Sequence, residues 1–85
     1  IGLINRVVPI AELESAVREV ADAICRNAPL SIAASKHTIG QILTDKEDRD
    51  YGKIKQMSQM CFDSNDYKEG REAFMEKRSP VFMGT

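Results

Sequence analysis

The stretch Ser64–Thr85, "SNDYKEGREAFMEKRSPVFMGT", decides how the chain is read. Ser64 offers a hydroxyl as helix cap, and Asp66 lies in the first turn, where the positive end of the helix dipole favours it. Tyr67, Gly70 and Phe74 recur at helical spacing on one side. Lys77 and Arg78 sit where the negative helix end wants cations, and Ser79-Pro80 closes the segment, because the residue before a proline disfavours helical dihedrals. This spacing predicts a helix running from Ser64 to Ser79.

Working backwards, "TDKEDRDYGKIKQMSQMCFD" (Thr44–Asp63) clusters acids at its front. Thr44 or Asp45 is the expected cap, and Tyr51, Ile54, Met57 and Cys61 repeat at steps of three or four. Pro29 opens the preceding helix, where a missing N–H costs nothing, and Leu30, Ile32, Ile39, Ile42 and Leu43 give it a broad apolar face. Gly40 inside that helix costs roughly 1 kcal/mol against Ala, so a close helix contact is expected there. Pro9–Asn27 carries the clearest stripe: Leu13, Val17, Val20 and Ile24, with Glu12 and Glu14 at its start and Asn27 as a left-handed cap. Ile1–Val8 is rich in Ile and Val and stops at Pro9, which reads as a short strand without a ladder partner. The expected fold is mainly α: four helices after a short N-terminal strand.

Eighty-five residues allow one small domain, and such a chain removes only about 60–65% of its unfolded surface on folding. A net charge of −1 and a pI near 5.8 argue against a nucleic-acid module. No run of eighteen apolar residues exists to span a bilayer. Cys25 and Cys61 sit within helical patterns; a bridge between them is left open, but such residues usually behave as small buried hydrophobes. One His and no Cys-x-x-Cys argue against a structural zinc site. The expectation is a reduced, cytoplasmic protein. The chain opens on "IGLINRVV" without Met, which suggests a fragment of something longer.

"GLINRVVP" followed by a helix, then "NAPLSIAASKHTI", then the quoted tail, resembles the C-terminal region of enoyl-CoA hydratases and isomerases, the crotonase superfamily. The likeness covers the whole chain in the family's order. It implies that residues 1–85 are the C-terminal helical domain of a crotonase-like enzyme whose N-terminal catalytic core precedes Ile1. That core would supply the oxyanion-hole amides and acid–base glutamates that hydrate trans-2-enoyl-CoA to 3-hydroxyacyl-CoA in fatty-acid metabolism. No catalytic residue is expected here; Glu12, Glu14 and Glu19 read as solvated helix faces. The resemblance implies acyl-CoA as substrate, no separate cofactor, and a homo-oligomer (a trimer or dimer of trimers), with helices that close the CoA pocket.

The residues matching the family's adenine end are Phe74 and Lys77 of "AFMEKR". A ring offers adenine a flat apolar surface, an ammonium pairs with a phosphate, and residues three apart are neighbours on a helix. Plain packing for Phe74 and plain dipole compensation for Lys77 stand as the alternatives. Family tails often read "PVFKG", whereas Met83 stands here in place of that Lys. His37 has no partner at catalytic spacing. The isolated chain is expected to be inactive and to self-associate. The competing functional readings are a stand-alone helical interaction module and the tail of another crotonase enzyme, such as an isomerase or dehydratase.

Overall fold

A computed structural model describes residues 1–85 and contains four α-helices and no strand: α1 Leu13–Cys25, α2 Pro29–Ile42, α3 Tyr51–Asp63 and α4 Asn65–Met75. The strand expected over Ile1–Val8 does not form. Its backbone groups meet no second strand, and an unpaired segment gains nothing from extended geometry. It lies against α1 instead, held by Arg6 Nη1 on Glu19 Oε2 at 3.1 Å.

Local chemistry explains the helix ends. A 3-10 turn over Ile10–Glu12 leads into α1, so the regular helix starts later than Pro9. Asn27 is not left-handed. It caps through its side chain, donating Nδ2–H to the Ala23 carbonyl at 2.8 Å. Pro29 occupies the first turn of α2. At the other end of α2, Arg49 donates to the carbonyls of Thr44 and Ile42 at 3.0 and 3.1 Å, putting a cation on the negative helix end. Because Arg49 needs that reach, Lys46–Asp48 forms only a 3-10 turn and α3 begins after Asp50, not after Thr44 or Asp45. The Asp50 carboxylate accepts from Lys53 N–H at 2.9 Å. Ser64 joins α3 to α4 by donating to the Cys61 carbonyl (2.6 Å) and accepting from Tyr67 N–H (3.0 Å).

Tertiary packing is sparse. α2 lies along α3, α3 meets α4, and α1 makes no substantial contact with any of the three. The radius of gyration is 16.5 Å, against about 12 Å for a compact chain of this length. The accessible surface is 7437 Å², against about 5,000 Å² for a folded monomer of this mass. The sole fully buried apolar residue is Ala73, and the α1 stripe of Leu13, Val17, Val20 and Ile24 is exposed. No partner helix approaches Gly40, and a Cβ there would meet nothing within 4 Å. Cys25 is exposed rather than buried, Cys61 is half-buried, and both are free thiols. No helix is long and apolar enough to cross a membrane.

Candidate functional site

Helix α4 is tied by side-chain bonds to the segment that returns along it. The helix ends at Met75, four residues short of Ser79. Lys77 adopts a left-handed φ of +54°. Arg78 N–H then reaches back to the Ala73 carbonyl at 3.0 Å and Lys77 N–H to that of Phe74 at 3.3 Å. This pair of bonds is the Schellman termination, normally built on Gly. A non-Gly residue in that conformation costs roughly 1–2 kcal/mol.

The reversal lets two carboxylates one turn apart on α4 hold the tail. Asp66, 3% exposed, accepts from Met83 N–H at 2.8 Å and Gly84 N–H at 2.7 Å. Its own N–H donates to the Thr85 carbonyl at 3.0 Å. Glu69 accepts from Val81 N–H at 2.9 Å and takes the Arg78 guanidinium bidentately at 2.6 and 3.1 Å. The Arg78 bonds, then the Val81 amide, hold the Glu69 carboxyl down at about 2. Arg78 is in turn pushed above its usual range by Glu69 and Glu76. Between these anchors the Phe82 ring lies over Gly70, 3.6 Å from where a Cβ would stand. A methyl added at Gly70 would meet that ring at ordinary van der Waals distance.

Beside this strap opens a cleft of about 440 Å³, lined among others by Ala28, Phe62, Tyr67, Arg71, Phe74 and Phe82. Tyr67 meets Phe62 edge-on at 5.5 Å between ring centroids. Arg71 stands 6.0 Å above the Tyr67 ring. Phe74 lies on this cleft and is 82% exposed. Lys77 does not line it. The expected helical neighbourhood of Phe74 and Lys77 is therefore corrected: Lys77 lies past the helix end, because the returning tail requires the chain to reverse there.

Arg71, three residues before Phe74 on the same face, has no assigned part in the sequence reading. Its spacing from Phe74 was the available signal, but the cleft that gives it meaning is built by α2 and α3. A second groove, about 370 Å³, runs between Asn5–Val8 and the exposed stripe of α1. His37 Nε2 is buried without a hydrogen-bond partner. No group of three His, Cys, Asp or Glu side chains converges as a metal site would require.

The family described as enoyl-CoA hydratase/isomerase matches residues 1–85. The chain belongs to the enoyl-CoA hydratase/isomerase family. Methylmalonyl-CoA decarboxylase of Escherichia coli is 39% identical over 87 residues, 99% of this chain and 33% of that protein. An enoyl-CoA hydratase of Mycobacterium tuberculosis, EchA19, is 38% identical over 82 residues, 96% of this chain and 31% of that protein. The crystal structure of enoyl-CoA hydratase EchA1 from Mycobacterium marinum superposes with a TM-score of 0.86 at 33% identity, covering 99% of this chain and 33% of that one. The chain thus spans about a third of the relatives it matches. The open helical arrangement is one that an enoyl-CoA hydratase/isomerase structure also takes within a longer chain.

Proposed function

We propose that this chain is the C-terminal helical region of an enoyl-CoA hydratase-like enzyme, where it closes the acyl-CoA pocket and joins subunits. One observation carries the reading: a family match over the full chain coincides with an arrangement that leaves its apolar faces uncovered. Helices that evolved as a self-contained bundle would bury the α1 stripe against α2–α4, and these do not. By itself the chain is inactive and self-associates, since such apolar patches seek cover.

In the complete enzyme the reaction is addition of water to a trans-2-enoyl-CoA, with the oxyanion donors and acid–base groups outside these residues. Phe74 offers its exposed ring to the adenine, and Lys77 its ammonium to a phosphate of the coenzyme A portion.

A second reading keeps the fold and changes the reaction to decarboxylation, favoured by the 39% identity to methylmalonyl-CoA decarboxylase. Assay of the complete enzyme on trans-2-butenoyl-CoA and on methylmalonyl-CoA decides between them. Hydration of the first is expected; turnover of the second alone would replace the hydratase reading. Phe74→Ala in that enzyme raises KM for the CoA thioester with kcat little changed, and an unaltered KM removes Phe74 from the pocket.

A further inference from the structure

We infer that Arg71 supplies a cation to the same cleft, pairing there with a phosphate at the nucleotide end of the CoA thioester. This rests on the reading that Phe74 meets that end of the substrate. The argument is one of charge and commitment. Among the cleft's twelve lining residues Arg71 is the one basic side chain and Asp66 the one acidic. Both Asp66 oxygens are already occupied by the Met83 and Gly84 amides, so Asp66 has no strong claim on a guanidinium.

Arg71 takes part in none of the chain's four ion pairs. Its aromatic contact, 6.0 Å from the Tyr67 centroid, lies at the outer reach of a cation–π attraction and holds it only weakly. The neighbouring Arg78 differs: Glu69 and Glu76 hold it in short bonds, which leaves it tied to the strap. The cleft therefore presents one uncommitted planar cation and the exposed Phe74 ring, with Gly70, Phe62 and Phe82 also in its lining. Its volume of about 440 Å³ falls in the range of small-molecule sites. A flat apolar base carrying phosphate matches that combination. A guanidinium binds phosphate through two parallel N–H donors, with a geometry that an ammonium does not reproduce.

The test is steady-state kinetics of the complete enzyme on one acyl group carried either by CoA or by pantetheine, which lacks the nucleotide. Arg71→Gln is expected to raise KM for the CoA thioester about tenfold or more, with kcat within about twofold. KM for the pantetheine thioester stays unchanged, and Arg71→Lys recovers part of the loss. The difference between wild type and Arg71→Gln shrinks at high ionic strength. An unchanged KM for the CoA thioester overturns the proposal. So does an equal rise for both thioesters, which would mark a packing role, or a loss of assembly without a KM change, which would mark a carboxylate of another subunit as the partner. Phe74→Ala run alongside separates the two claims. If it raises KM for the CoA thioester and Arg71→Gln does not, this inference falls alone; if neither does, the pocket reading falls with it.

Discussion

Replacing Asp66 by Ala should release the tail while leaving α4 in place. Asp66 is 3% exposed and receives the amides of Met83 and Gly84 at 2.8 and 2.7 Å. A hydrogen bond to a charged acceptor contributes about 1.5–3 kcal/mol. The strap is partly exposed, so its freed amides recover some hydration, and the lower part of that range applies. Two such bonds together give about 3–4 kcal/mol of attachment, or roughly a hundred- to several-hundredfold change in the opening equilibrium. Hydrogen–deuterium exchange of peptides covering residues 80–85, in the complete enzyme, reads that opening directly, because local release precedes global unfolding. Exchange of Met83 and Gly84 should accelerate by that factor. Val81, held separately by Glu69, should change less. Asp66→Asn keeps one acceptor oxygen and turns an amino group towards the other amide, so it should loosen the strap to an intermediate degree. Exchange at Met83 and Gly84 within twofold of wild type in Asp66→Ala would refute the claim that this carboxylate ties the tail.

Further expectations follow from the same geometry. Lys77→Gly relieves the left-handed strain and should raise stability to denaturant by about 1 kcal/mol; if Lys77 also meets a phosphate, KM for the CoA thioester rises in the same variant, and a loss of stability would contradict the helix-end assignment. Gly40→Ala should stabilise the isolated chain's helix by about 1 kcal/mol, since the added methyl meets nothing here. A marked loss of assembly from that variant in the complete enzyme would show that another element approaches this face. Glu69 has its carboxyl lowered from 4.5 to about 2 in the folded chain. Its contribution is complete above the unfolded value and is lost as pH falls from about 4.5 towards 2. Carboxyl-carbon NMR should find Glu69 still ionised at pH 3.5, and Arg78→Gln should raise it towards the ordinary range while the Val81 amide still holds it below.

Part of the site was legible in the residues. Ser64 caps α4 and Asp66 stands in its first turn as expected, because capping acts within one turn and needs no distant partner. Pro29 opens α2 for the same reason. The family resemblance points to Phe74, which lines the cleft. Arg71 carries no such signal in the sequence, because an arginine on an amphipathic helix reads as solvated until the walls around it are known. The helix expected to continue to Ser79 stops at Met75, so Lys77 lies past its end rather than on its surface.

By itself, then, the sequence determined four helices, the starts at Pro29 and Ser64, the apolar stripe of α1 and the kinship carried by the order of its motifs. These rest on periodicity and on side chains that reach their own backbone within a few residues. Only the tertiary structure decided that Ile1–Val8 forms no strand, that α3 waits for Asp50, and that α4 stops at Met75. Each of those outcomes depends on a bond made, or not made, with a distant element: a ladder partner that is absent, Arg49 reaching the end of α2, and Asp66 capturing amides 17 and 18 residues away. Helical periodicity carries no information about such long-range partners, so the turn at Lys77, and the cleft beside it, became visible only in three dimensions.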